Sequence, residues 1–195
     1  MMHRMFSRIA IIVTITALAV PIASAVDRNA GTPANIPPKV VADFLHAVIM
    51  AHRNFYTIHI VNPLRQEGIV DASENWRAKT ALPLPVQVLQ ETSKMAELTS
   101  ANVNYHLISQ WPINKANTPV TEFERRGLEA VQAYPAKPYS AAIRDGSGKR
   151  FETVYADLAV TQVCIDCHNS HPKSPRSDFK VGDVMGGLVI SFPLP

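Results

Sequence analysis

Residues 164–168 read Cys-Ile-Asp-Cys-His, and this short stretch determines most of what the sequence predicts. Two thiols three residues apart on one helical turn can each bond a vinyl-derived carbon at the edge of a porphyrin. The adjacent His168 imidazole can then ligate the iron from the proximal side. The C-x-x-C-H pattern is the attachment signature of c-type heme. We therefore predict one covalent heme c, bound through Cys164 and Cys167, with His168 as the proximal iron ligand.

Three other uses of the two cysteines fit the sequence less well. A thioredoxin-like site would normally lie near a βαβ pattern, and the sequence does not predict one. A structural zinc site would need two more ligands at metal spacing, and the chain has only two cysteines. A disulfide between them could form in an oxidising compartment, but it would leave His168 without a role.

The first 25 residues have the features of an export signal. Arg4 and Arg8 precede an apolar run over residues 9–20, and residues 23–25 read Ala-Ser-Ala, a small-residue cleavage site. The apolar run is short for a membrane span, which needs roughly 20 residues. We predict a signal peptide over 1–25 and a periplasmic protein. An uncleaved leader would instead anchor the chain in the membrane.

The composition indicates one globular domain behind this leader. Of the 195 residues, 47% are hydrophobic and 18% are charged, which suits a protein with an apolar core. The net charge is +3, from 19 basic and 16 acidic residues, and Arg4 and Arg8 supply two of the positive charges. No basic stripe with interleaved aromatic residues is visible, so we predict no nucleic-acid binding.

The order of the predicted elements indicates an α+β protein. Residues 26–38 are rich in Pro, Asn and Gly and are predicted to form a linker, and the domain then occupies 39–195. The predicted helices cover residues 39–61, 84–99, 121–132 and 158–168. The third is predicted to begin with a capping box, with Thr121 as N-cap and Glu124 three residues later. The predicted strands cover residues 102–111, 139–144, 149–156 and 184–192. Helices therefore come first, and a mostly antiparallel sheet with one inserted helix follows.

The sequence leaves the sixth iron ligand open. The long amphipathic helix predicted over 39–61 places His52 and His59 on its apolar face at helical spacing. They are seven residues apart, about 10 Å along the axis, so only one of them could reach a given iron. We expect His52 as the first candidate for the sixth ligand, and His59, His46 and Met50 are alternatives. A sixth position that is open or filled by water is the remaining possibility.

Other polar residues are candidates for contacts with the cofactor. Arg176 and Lys180 could pair with the heme propionates, because arginine suits bidentate pairing with carboxylates, and ordinary surface charge is the alternative. His171 follows His168 by three residues and is expected to orient the loop or touch a propionate. His106 lies on the polar face of its predicted strand and is expected to be a surface histidine.

The sequence around the motif resembles heme-c-binding, PAS-like extracytoplasmic sensor domains, which precede cyclase, kinase and chemoreceptor output modules. The resemblance is specific in residues 167–175, which read CHNSHPKSP, and in residues 179–187, which read FKVGDVMGG. Shorter matches cover residues 53–56, 83–85, 109, 112–114 and 123–124. The resemblance implies a PAS-like antiparallel sheet flanked by helices, and one heme c with His168 as proximal ligand. Members of the family differ in the distal ligand, so the resemblance assigns none here.

The resemblance also implies redox or small-gas sensing. We expect a separate signalling protein as partner, because no output module follows the domain in this sequence. Electron transfer with a redox partner is the alternative. A heme enzyme such as a peroxidase ranks last, because the sequence supplies no obvious distal acid–base pair. A second strong iron ligand would favour redox sensing or electron transfer, whereas an open position would favour gas binding or catalysis.

We expect export to remove residues 1–25, so N-terminal sequencing of the periplasmic fraction should begin at Val26. Ala25→Arg should block cleavage and retain the chain in the membrane, because the site needs small residues at both of its outer positions. Ser24→Gln is the matched control and should be processed normally, since the middle position tolerates other side chains. Recovery of only full-length wild-type chain, in membranes, would contradict cleavage.

Overall fold

The computed structural model describes residues 35–146 and 148–195. The predicted signal peptide and residues 26–34 of the predicted linker lie outside the described residues. Residues 36–195 form one compact unit. In the part of the chain that the model describes, no helix is both long enough and apolar enough to cross a membrane.

Helices come first along the chain, and the sheet is completed at the end. The helices are α1 (Pro38–Phe55), α2 (Asn62–Gln66), α3 (Pro85–Glu97), α4 (Glu122–Ala133) and α5 (Gln162–Ser170). A π-helical turn (Tyr56–Val61) joins α1 to α2, and a 3-10 turn covers Lys115–Asn117. The strands are β1 (Asn104–Ile108), β2 (Tyr139–Asp145), β3 (Gly148–Leu158) and β4 (Val184–Pro193). This arrangement confirms the predicted α+β class.

The four strands form one antiparallel sheet in the order β1-β4-β3-β2. β4 lies between β1 and β3 and is buried along most of its length because helices cover both faces of the sheet. On one face Leu188 and Ile190 pack with residues of α1 and α3, and on the other Val189 packs with Leu128 and Val131 of α4. The nearly continuous apolar sequence of β4 follows from burial on both of its sides.

The buried face of α1 differs from the predicted one. Ala42 is fully buried against the sheet, and Leu45 and Ile49 pack beside it. His52 and His59, predicted on the apolar face, are both exposed. The helix carries apolar residues on more than one side, including Phe44, Val48 and Phe55, which are 65%, 56% and 60% exposed. The periodicity alone could not decide which side faces the sheet.

A predicted capping box begins α4 and involves a histidine that was expected on the surface. Thr121 Oγ1 accepts a hydrogen bond from the Glu124 amide at 3.0 Å, and Glu124 Oε2 accepts one from the Thr121 amide at 3.2 Å. His106 Nε2 lies 3.0 Å from Glu124 Oε1. His106 is therefore part of the contact between β1 and α4 and not a free surface residue. Burial raises the pKa of Glu124, but hydrogen bonds from His106 and from the backbone amides of Val120 and Thr121 outweigh this effect and lower the pKa.

The helix that carries the cysteines begins later than predicted. Residues 158–168 were expected to be helical, but β3 extends to Leu158, and α5 begins at Gln162. Residues 157 and 158 are extended because they pair with β4. Asp157 lies opposite Gly186, and the register shifts between Asp157 and Leu158. The Ala159 amide then donates to the Asp183 carbonyl at 2.9 Å. Helical periodicity could not reveal this long-range pairing.

We expect Gly186→Ala to destabilise the fold by about 1–3 kcal/mol, as overpacked cores do. A Cβ at this position would overlap the carbonyl oxygen of Ile108, which belongs to the paired backbone of β1 and cannot move aside cheaply. Urea denaturation measures the change. Gly146→Ala is the matched control, because nothing lies within 4 Å of a Cβ there. Equal stability of the two variants would contradict this close approach of β1 and β4.

Candidate heme site

One cleft brings the three residues of the motif together. Cys164, Cys167 and His168 all line it, and the cleft contains about 1300 Å³ of empty space, part of it open to solvent. Its cavity volume is about 230 Å³, below the roughly 300–1,000 Å³ typical of ligand clefts, and the rest of the space opens to solvent. Its apolar wall consists of residues 61, 84, 86, 107, 108, 111, 113 and 185.

Local packing turns the motif toward this cleft. Ile165 is 6% exposed and packs in a small core with Ala159, Phe179 and Met185. Residues three and four apart lie on one helix face. The two cysteines and His168, at positions i, i+3 and i+4 of α5, therefore share one face. Ile165 lies at the border of that face, and Cys164 packs against the same small core.

These residues fit a c-type heme. Both thiols are free and half-buried, and they stand at the edge of an apolar cleft that suits the flat porphyrin surface. Cys164 Sγ lies 3.2 Å from the Thr161 hydroxyl. In the described part of the chain, no group of three or more His, Cys, Asp and Glu side chains could hold a bare metal ion. The thiols and the imidazole thus match porphyrin attachment better than a zinc site.

The electrostatic surroundings keep the imidazole neutral. Burial lowers the pKa of His168, and the charges of Asp157 and Arg53 act on it in opposite directions. The neutral ring has the free nitrogen that a metal ligand requires. Burial also raises the pKa of the Cys167 thiol.

The loop that follows α5 is clamped against the motif. Asn169 Nδ2 donates to the Phe179 carbonyl at 2.9 Å, and Asn169 Oδ1 accepts from the Phe179 amide at 3.0 Å. The Phe179 ring lies edge-on to the His168 ring, with centroids 6.1 Å apart, and edge-on to Trp111 at 5.7 Å. The two sequence blocks with the most specific resemblance therefore contain both halves of this clamp.

Arg176 and Lys180 do not line the cleft. Arg176 donates to Asp178 at 2.6 Å and to Asp183 at 3.0 Å, and its guanidinium lies 4.3 Å from the centroid of Phe179. The side chain of Lys180 is exposed, and its amide donates to Asp183. The geometry thus gives Arg176 a role in the loop, because its charge is already paired with two carboxylates. Contact of Arg176 or Lys180 with a propionate stays a prediction.

The candidate distal ligands of the first helix also lie away from the cleft. His52 and His59 are exposed, and His59 packs on Phe55 with ring centroids 5.1 Å apart. His46 stacks on Tyr155 at 4.0 Å, and Met50 packs against the core below α1. All four residues belong to α1 or the π-helical turn, which also contribute to the wall of the cleft, but none of the four lines the cleft beside His168.

Sequence reasoning missed the residues that α1 and its neighbours do contribute. Arg53, Thr57 and Val61 line the cleft, as do Arg65 and Asp157. Arg53 forms an ion pair with Asp157, and Arg65 Nε donates to an exposed carboxylate of residue 71 at 2.8 Å. Residue 53 begins one of the shorter blocks that resemble the family, and this match could have marked Arg53 as a candidate site residue. Nothing in the sequence marks Asp157.

We expect Asn169→Ala to destabilise the protein by about 1–3 kcal/mol, because it leaves the amide and the carbonyl of Phe179 without partners. Urea denaturation measures the loss. Lys173→Ala, an exposed change in the same loop, is the control and should stay within about 0.5 kcal/mol of wild type. A loss for Asn169→Ala no larger than that of the control would show that the clamp contributes nothing.

Comparison with known proteins agrees with the resemblance seen in the sequence. The model of the Tll0287-like family matches residues 33–193. The crystal structure of the cyanobacterial heme-protein Tll0287 is similar to this one, with 11% sequence identity and a TM-score of 0.52. The alignment covers 81% of this chain and 97% of that one, and at this identity it shows likeness of fold alone. No curated protein sequence matches. The chain belongs to the Tll0287-like family.

Proposed function

We propose that this protein is an exported monoheme c-type cytochrome that senses redox state or a small gas through a separate partner protein. The observation that carries the proposal is the cleft itself, where Cys164, Cys167 and His168 face an apolar wall. Cys164 and Cys167 would bond the porphyrin edge, and His168 would ligate the iron. Bound heme would supply an iron that changes oxidation state and takes small axial ligands.

The residues that α1 contributes to the cleft favour sensing of a small gas over redox sensing or simple electron transfer. From α1 and the π-helical turn come Arg53, Thr57 and Val61, none of which is a strong iron ligand. His171 also lines the cleft, but its Nδ1 accepts from the Lys173 amide at 3.2 Å. A sixth position without a strong protein ligand is the arrangement that a gas ligand requires.

The remaining parts of the proposal rest on the sequence and on the fold class. The leader over residues 1–25 supports export to the periplasm. The antiparallel sheet covered by helices is consistent with a PAS-like fold, which suits a sensor domain. We propose that the partner is a separate signalling protein.

Electron transfer is the second candidate, and one residue favours it. Met185 is 8% exposed and lines the cleft, and a His–Met pair is the ligation found in electron-transfer cytochromes c. Met185 also packs with Ile165 and Phe179 behind the motif, which is an ordinary core position. The two candidates therefore differ in whether this thioether reaches the iron.

We expect the purified ferrous protein to bind carbon monoxide, with a clear shift of its main heme absorption band, because the sixth position is free of a strong ligand. Met185→Leu, which keeps the volume of the side chain, should have the same spectra as wild type in both oxidation states. If the wild type is low-spin and rejects carbon monoxide while Met185→Leu binds it, the protein is an electron carrier with His–Met ligation. A colourless protein from a host with c-type heme maturation would contradict heme binding altogether.

A further inference from the structure

We propose that the ion pair between Arg53 and Asp157 holds two opposing charges at the cleft, so that each charge offsets the shift that the other would cause in the reduction potential of the heme. This inference rests on the proposed heme binding and concerns the regulation of that same site. Arg53 belongs to the last turn of α1, and Asp157 lies next to the end of β3. Both line the cleft that Cys164 and His168 also line.

The two charges are largely shielded from water. The side chains of Arg53 and Asp157 are 20% and 9% exposed, and Arg53 Nη1 donates to Asp157 Oδ1. In the ion pair of Arg126 with Glu122 on α4, by contrast, both side chains are more than half exposed. Charges in a buried setting are screened less by water and salt, so their fields extend further across the cleft.

The backbone on both sides of the pair limits its freedom to move. Thr57 Oγ1 donates to the Arg53 carbonyl at 2.8 Å, where the chain passes into the π-helical turn. Asp157 is paired with Gly186 at the shift of register between β3 and β4. The guanidinium and the carboxylate therefore extend from two different elements whose backbones are fixed by these contacts, which limits how far the two groups can separate.

The sign of each effect follows from the charge change at the iron. In the reduction of ferric to ferrous heme, the iron gains one electron from an external one-electron donor, no bond breaks, and the charge of the site falls by one. The Asp157 carboxylate favours the more positive ferric form and lowers the potential. The Arg53 guanidinium favours the ferrous form and raises the potential. In the intact ion pair, the two opposite effects on the reduction potential largely cancel.

The test is spectroelectrochemical titration of the purified holoprotein carrying Arg53→Gln, Asp157→Asn or both. At a fixed applied potential, Arg53→Gln should lower the ratio of reduced to oxidised heme about tenfold, and Asp157→Asn should raise it about tenfold, which is ~59 mV each for one electron. The double variant should lie near wild type. Arg126→Gln and Glu122→Gln change the net charge equally on an exposed surface and should leave the ratio unchanged.

A purely structural clamp would give a different pattern. If the pair only holds α1 against β3, breaking it from either side would loosen the cleft in the same way, and both single variants would shift the potential in one direction. That result, or no shift in either variant, would overturn the inference. Arg53→Lys keeps the charge and should retain the wild-type potential even if Arg53→Gln fails to fold, and a shift in Arg53→Lys would likewise count against a charge effect. A wild-type protein without heme would defeat the proposed function before any potential is measured.

Discussion

Ile165 controls the rotation of α5, and the chemistry of the cleft depends on that rotation. Its side chain lies in a small core with Ala159, Phe179 and Met185, so this side of α5 is buried. With 3.6 residues per turn, the face that carries residues 164, 167 and 168 then points into the cleft. A helix of nine residues has little stability of its own. Its position must therefore come from this packing and from the strand and loop on either side.

The elements around α5 are joined to one another by polar contacts as well as by the core. Asn169 binds both backbone groups of Phe179, and the guanidinium of Arg176 lies over that ring. At the other side of the cleft, Arg53 and Asp157 connect α1 to β3. Removing one partner of a buried ion pair typically costs about 3–5 kcal/mol, because the other charge is left buried and unpaired.

Local signals in the sequence were enough to predict the class of the fold and to single out the C-x-x-C-H residues, which the structure brings together at one cleft. The capping box of Thr121 and Glu124 gave the start of α4 correctly, because both of its hydrogen bonds are local. The predictions that failed depended on contacts distant in sequence. The orientation of α1 is decided by the sheet against which it packs, so His52 is exposed and Arg53 lines the cleft. The start of α5 was misplaced because β4, some thirty residues later, pairs with the end of β3.

Intact mass spectrometry under denaturing conditions tests the central claim most directly, since only covalent attachment survives unfolding. Protein produced in a host with c-type heme maturation should have the mass of the mature chain plus one heme. The mass of the variant with both Cys164→Ala and Cys167→Ala should contain no heme. A wild-type chain that unfolds to its bare polypeptide mass would contradict the claim that the two cysteines of α5 carry the cofactor.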